Sequence, residues 1–271
     1  MKTKLITFFS VILVLYLLIC TLLSFFQEKV IFFPDSLDKN FNFEFEGNFE
    51  ERYVTMKDGI KLHSLLFNTT DPNGVILYLH GNAGSLEVWG TVADIFTNLG
   101  YDVFIPDYRG YGKSEGRIKS EAQLHRDMQT LYNYLKKEYS ENEIIVLGHS
   151  IGSGMAARLA AKNDPKLLIL QAPPYSLPHL AKKMFPLNLF PSFLIEYKLK
   201  TGKYVKKANV PVAVFHGDED EIVHYGSSLK IQQHFKPGDT LITLQGLGHN
   251  DFLNTRQYAE AIEEILANNS D

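Results

Sequence analysis

The sequence predicts an α/β domain, a mostly parallel sheet with helices on both faces and a small helical cap, and three observations carry that expectation. Continuous apolar runs of strand length, such as "GVILYLHG", "EIIVLGH" and "VPVAVFHG", recur along the chain. Unbroken apolar character marks strands buried on both faces, the habit of parallel sheets covered by helices. Segments with apolar residues at helical spacing separate these runs, and strand–helix alternation builds that layered architecture. Finally, 271 residues with 45% apolar content suffice for a full core.

The elements follow in order. "FEERYVTMKDGIKLHSLLFN" reads as two strands joined at Asp58-Gly59, a strong hairpin signal, and supplies antiparallel strands at one edge. After "GVILYLHG", Leu86, Trp89, Ala93, Phe96 and Leu99 lie at helical spacing, and Gly100 closes the helix. "YDVFIPDYRG" is the next strand. "SEAQLHRDMQTLYNYLKKEY" opens with a capping box, Ser120 to Gln123, and puts Leu124, Met128, Leu131 and Leu135 on one face. Then come strand "EIIVLGH", a helix from Ile151 to about Lys162, and strands "KLLILQA" and "VPVAVFHG". Helix "YGSSLKIQQHF", strand "TLITLQG" and helix "TRQYAEAIEEILA" complete the domain.

Ahead of the domain, Leu5 to Phe26 carries no charge and is long enough to cross a bilayer as one helix. A cleavable leader would have a shorter apolar region and a small-residue cleavage site, which "CTLLSFFQEK" does not offer. Residues 1–28 are therefore read as a transmembrane anchor and 29–271 as the folded domain. Lys2, Lys4 and the terminal amine precede the run while Glu28 and Lys29 cancel after it. The positive-inside rule then places the N-terminus in the cytoplasm and the domain outside it, on a single-pass membrane protein. A net charge of −4 without a dominant basic stripe gives no support for a nucleic-acid partner. The single cysteine, Cys20, excludes an intrachain disulfide and a Cys-rich zinc site.

One segment breaks the rhythm. Residues 172–209 hold five prolines, apolar residues including Leu177, Leu180, Phe185, Leu187, Leu189, Phe190 and Phe193, and seven lysines against the single acid Glu196, a net charge of +6. This is read as the helical cap, inserted over the carboxyl ends of the strands, where open α/β sheets bind ligands. A surface insertion with its own satellite core is the alternative.

The chemistry centres on "LGHSIGSG", residues 147–154. A serine hydroxyl is a weak nucleophile at neutral pH, so it needs a base in reach and an acid to orient that base. In Gly-x-Ser-x-Gly between strand and helix the serine occupies a sharp turn, here Gly148, Ser150 and Gly152. Acid and base are expected from later strand-end loops in the order Asp, then His. "DEDEIV" offers Asp218 and Asp220, and "LGHND" offers His249. Asp220 is preferred because it lies further into its loop, with Asp218 the candidate cap of the turn. Oxyanion donors are expected from the backbone N–H groups of Asn82, in "LHGNAGS", and Ile151, at the helix start. His149 is the variable residue of the turn, and His80 and His216 are expected to brace loops. No His/Asp/Glu cluster has metal-ligand spacing, and neither "HGNAGS" nor "GYGKSEG" has the pattern of a nucleotide-binding loop.

"LYLHGNAGS", "IPDYRGYGKSEG", "LGHSIGSG", "VFHGDEDEIV" and "LGHND", in this order, closely resemble the α/β-hydrolase superfamily, especially its membrane-anchored alpha/beta-hydrolase-domain proteins with a short cap. The resemblance runs from about Val30 to the C-terminus. It implies the α/β-hydrolase fold with an eight-stranded sheet, Ser150 as nucleophile, Asp220 as acid, His249 as base, Asn82 and Ile151 as oxyanion donors, and no cofactor. It also implies that Asp107 and Arg109 in "DYRGYG" are mainly structural. The function expected is a serine hydrolase that cleaves carboxylic ester or thioester bonds through an acyl-enzyme, with an acyl or lipid-like substrate suggested by the basic, apolar cap beside an anchor. Peptide or amide cleavage is the alternative, and a non-catalytic binding protein on the same fold is the third reading.

Overall fold

The computed structural model describes residues 2–184 and 191–269. Its centre is one eight-stranded sheet: β1 (Asn48–Thr55), β2 (Lys61–Asn68), β3 (Val75–Leu79), β4 (Asp102–Pro106), β5 (Ile144–His149), β6 (Leu167–Gln171), β7 (Val212–Gly217) and β8 (Thr240–Leu244). The spatial order is β8-β7-β6-β5-β3-β4-β2-β1. The hairpin β1–β2 and the β2–β4 pair are antiparallel, and every other pairing is parallel. The parallel strands β3 to β7 are buried along their whole length, which explains their unbroken apolar character. A further short parallel pair, Phe33–Pro34 with Ala83–Gly84, joins the linker to the loop after β3 and has no local sequence signal.

Alternate side chains divide the core into two layers. Leu77, Phe104, Val146, Leu168 and Val214 face the layer completed by α5 (Glu121–Leu135) and α6 (Gly152–Ala160). Ile76, Val103, Ile145, Ile169 and Phe215 face the layer of Phe96, Tyr258 and Ile262. These come from α4 (Ala93–Thr97) and the C-terminal helix α9 (Arg256–Ala267). The expected apolar face of α5, Leu124, Met128, Leu131 and Leu135, is buried throughout. Each such side chain contributes roughly 1.5–3 kcal/mol by leaving water.

Local expectations differ from the structure in two places. The single helix expected over Leu86–Leu99 is three pieces, α3 (Leu86–Trp89), a 3₁₀ turn (Gly90–Val92) and α4. Gly90 is a weak helix former, and the Thr91 hydroxyl donates to the Val88 carbonyl at 2.7 Å, so the backbone tightens there. At α5 Ser120 accepts from the Gln123 N–H at 3.1 Å, but the Gln123 side chain accepts from the Lys119 N–H, one residue before the partner a reciprocal box requires.

At the N-terminus α1 (Lys2–Phe25) is long and apolar enough to cross a membrane, with nearly all of its surface exposed. The short α2 (Gln27–Ile31) follows and is clamped to the domain: Gln27 Oε1 accepts from the Glu196 N–H at 2.8 Å, and the Tyr197 hydroxyl donates to Glu28 at 3.0 Å. Between β6 and β7 the segment read as a cap contains α7 (Leu177–Met184), a 3₁₀ turn (Ser192–Leu194) and α8 (Thr201–Val205). Its Phe185, Leu187, Leu189 and Phe190 lie outside the described residues.

Arg109 holds two distant elements together. Its guanidinium makes paired bonds to Asp58 in the hairpin turn, at 2.8 and 2.9 Å, and to Asp127 on α5, at 2.6 and 2.9 Å. Arg109 and Asp127 are both buried, so removing the cation strands a carboxylate. Arg109→Ala is expected to lower unfolding free energy by about 3 kcal/mol. Urea titration checks this, and a loss below about 0.5 kcal/mol would show the pair to be dispensable.

Candidate active site

Ser150 occupies the turn between β5 and α6 with φ at 50°, a left-handed conformation that side-chain-bearing residues avoid at a cost of roughly 1–2 kcal/mol. The neighbouring glycines make the turn possible. A Cβ at Gly152 would lie 2.0 Å from the Leu79 carbonyl oxygen, and one at Gly148 would lie 2.6 Å from that of Gly152. The turn is pinned by the Ser150 N–H donating to Gln171 O at 2.8 Å and the Ser153 hydroxyl donating to Gly148 O at 2.8 Å.

Parallel order brings the loops after β5, β7 and β8 to the same end of the sheet. There His249 Nε2 lies 3.0 Å from Ser150 Oγ, and His249 Nδ1 lies 2.6 Å from Asp220 Oδ2. A carboxylate only accepts, so Nδ1 carries the proton, and in the neutral ring Nε2 is left to accept from the serine hydroxyl. Asp218, the other candidate acid, instead accepts from the Gly246 N–H at 2.7 Å and caps its turn. Burial alone would raise the Asp220 carboxyl, but hydrogen bonds from His216 and His249 and the backbone bond from Val223 outweigh it and hold the group well below the usual carboxylate range.

The two expected oxyanion donors are free for a ligand. Neither the Asn82 nor the Ile151 backbone N–H has a partner among the described residues. The Asn82 carbonyl is fixed by the Tyr111 hydroxyl at 2.6 Å, while the Tyr108 hydroxyl holds His80 O at 2.8 Å. The tyrosines of "DYRGYG" thus brace the loop beside the site. Arg109 is engaged by Asp58 and Asp127, and Asp107 is fully buried, with His63 Nδ1 at 3.9 Å from Oδ2 and His80 Nε2 at 3.7 Å from Oδ1.

These braces carried no local signal, and neither did those of His149. Its ring is fully buried, with Nδ1 3.2 Å from Gln171 Oε1 and Nε2 3.1 Å from Asn250 Oδ1. Burial, then the neighbouring His249, push its pKa down to about 4, so the ring is neutral near pH 7. A neutral ring has one N–H and so donates to one of these two oxygens, while Gln171 Oε1 also accepts from the Tyr78 hydroxyl at 3.1 Å. The residue before the serine thereby grips the residue after the histidine.

A family model described as "Serine aminopeptidase, S33" matches residues 70–201. Protein bem46 of Schizosaccharomyces pombe is 32% identical over 245 residues, which are 83% of this chain and 79% of that protein. The chain belongs to the α/β-hydrolase superfamily. Within this superfamily it is also similar to alpha/beta hydrolase domain-containing protein 17C of Xenopus tropicalis, at 28% identity over 71% of this chain and 61% of that one. Among solved structures, the Pyrococcus furiosus esterase Pf2001 superimposes with a TM-score of 0.70 at 19% identity, covering 89% of this chain and 98% of the esterase. Est1E from Butyrivibrio proteoclasticus, solved with ferulic acid bound, gives 0.68 at 25% identity over 80% and 98%. The fold is that of an α/β-hydrolase.

The site also makes stability depend on pH. His80, like His149, is fully buried with its pKa pushed down to about 4 from 6.5, chiefly by burial. Below pH 6.5 the unfolded chain binds protons on these rings that the folded hydrolase refuses until about pH 4, so stability falls through that window as pH falls. Asp220 has the same sign at lower pH: its contribution is complete above the ordinary carboxylate value of 3.8 and lost below it. Urea midpoints should therefore fall between pH 6.5 and 4, with His149→Gln reducing the slope by about one proton. An unchanged slope in that variant would contradict this origin.

Proposed function

We propose that the chain is a membrane-anchored serine hydrolase that cleaves carboxylic ester or thioester bonds through an acyl-enzyme on Ser150. The observation that carries this reading is the position of His249, 3.0 Å from Ser150 Oγ and 2.6 Å from Asp220. Ser150 Oγ attacks the acyl carbon as its proton passes to His249 Nε2, and the Asn82 and Ile151 N–H groups receive the oxyanion. Asp220 stabilises the imidazolium. His249 returns the proton to the departing alcohol or thiol, then takes one from water, whose oxygen releases the acid and restores Ser150.

In this reading α1 anchors the protein with its N-terminus in the cytoplasm, residues 29–271 form the hydrolase domain outside it, and 172–209 is the cap. An acyl or lipid-like substrate is favoured by the contact between cap and anchor. Tyr16 and Cys20 of α1 line a groove of about 390 Å³ with Pro191, Phe193 and Leu194. Peptide or amide cleavage is the second reading, favoured by the aminopeptidase description of the matching family model.

Labelling by a fluorophosphonate probe tests the chemistry. Wild-type protein should label and Ser150→Ala should not; an unlabelled, folded wild type would favour a binding protein on this fold. The hydrolysis rate should fall on the acid side of neutrality, because a protonated His249 cannot accept from Ser150. A flat profile between pH 5 and 8 would oppose that role. For the substrate class, acyl esters and thioesters of graded length should outperform aminoacyl amides, with activity reduced when Lys182, Lys183 and Lys198 are neutralised. No length preference and no loss in those variants would remove the lipid-like assignment.

A further inference from the structure

The acid Asp220 is held by a second imidazole that the reaction above does not use. His216, at the end of β7, is fully buried, and its Nε2 lies 3.1 Å from Asp220 Oδ2, the same oxygen that His249 contacts. Nε2 also lies 2.7 Å from the Val223 carbonyl, and Nδ1 lies 2.6 Å from the Ser228 hydroxyl. The carbonyl and the carboxylate can only accept, so Nε2 carries a proton shared between them. In the neutral ring Nδ1 is then bare and takes the Ser228 O–H. The five groups form one chain whose donors converge on Asp220, Ser228 and His216 from one side and Ser150 and His249 from the other.

We propose that His216 is a positioning residue of the acid–base pair, fixing the Asp220 carboxylate and sharing its charge with His249. This rests on the serine-hydrolase reading. A carboxylate offers about four acceptor sites. All are filled here, since Oδ1 takes the Ile222 and Val223 N–H groups at 2.8 and 2.7 Å, and Oδ2 takes the two imidazoles. Without His216, Oδ2 keeps one tether and a buried lone pair loses its donor, an expensive change for a charged acceptor. The carboxylate gains freedom to turn, and its charge falls more heavily on His249, which then protonates more readily.

Rate is therefore lost, and the acid limb of the pH profile moves upward. The groups facing these rings do not produce the same signature. His249 faces Ser150, Asp220 and the His149 ring, whose pKa near 4 lies below the useful range. His216 faces Asp220, Val223 O, Ser228 and the edge of the Tyr225 ring at 5.6 Å.

The experiment compares fluorophosphonate labelling rates of the full chain in detergent between pH 5 and 9 for wild type, Ser150→Ala, His216→Asn and His216→Gln. Both replacements are neutral amides. The glutamine amide nitrogen reaches the place of Nε2, whereas asparagine stops near Nδ1 and keeps only Ser228. His216→Asn should label at least about tenfold more slowly, with its acid limb raised, and His216→Gln should stay within about threefold of wild type. Equal losses in both variants, or no loss and no shift in the asparagine variant, would overturn the proposal. Should the asparagine variant fail to melt cooperatively, imidazole ¹⁵N shifts of wild-type protein decide: His216 protonated on Nε2 supports the proposal, and a bare Nε2 ends it. Wild-type protein that does not label takes down the hydrolase reading as well, whereas labelled wild type with indifferent His216 variants removes this inference alone.

Discussion

The backbone of Ser150 is the constraint on which the site depends. A left-handed residue carrying a side chain is unfavourable by roughly 1–2 kcal/mol, so the sheet and helix on either side must over-determine it. They do so through contact rather than flexibility. The carbonyls of Leu79 and His80 press on Gly152, and α6 presses on Gly148, at separations that no side chain could occupy. With the path fixed, Ser150 Oγ faces the loop that carries His249, and the Ile151 N–H emerges at the start of α6 with no partner among the described residues. The same turn therefore positions a hydroxyl and a donor.

A second constraint is electrostatic. A carboxylate removed from water is costly, and burial on its own would return the proton to Asp220. The four hydrogen bonds to its two oxygens reverse the balance, and the group stays ionised with a fixed orientation. Two of those bonds come from the loop that holds Asp220 itself, so its own backbone fixes the carboxylate. A preset charge is what stabilises a developing imidazolium without reorganisation.

Around these groups the hydrolase uses buried amides and phenols as fasteners. Gln171, at the end of β6, gathers Tyr78, His149 and Tyr258, and through His149 and Asn250 it reaches the loop that bears His249. Tyr111 does the equivalent for the loop of Asn82. Buried polar groups that are fully partnered rigidify a core, which suits a site whose geometry tolerates little drift.

Much of this is legible in the sequence. Strand runs, the Asp58-Gly59 hairpin, the face of α5 and the three strand-end loops bearing Ser150, Asp220 and His249 follow from local periodicity and turn chemistry, which act over a few residues. The broken helix after Leu86 and the displaced partner of Gln123 were not legible, because a single hydroxyl or amide decided each one against the general pattern. The sequence by itself determined the layered α/β class, the order of the reactive residues and the apolar N-terminal helix. Only the tertiary structure decided that Asp220 rather than Asp218 meets His249, that Tyr111 steadies Asn82, and that His216 contacts the same Asp220 oxygen as His249. The meetings of Asp220 with His249 and of Tyr111 with Asn82 join groups 29 residues apart at one end of the sheet, and the physical agent that brings them together is the packing of the whole core.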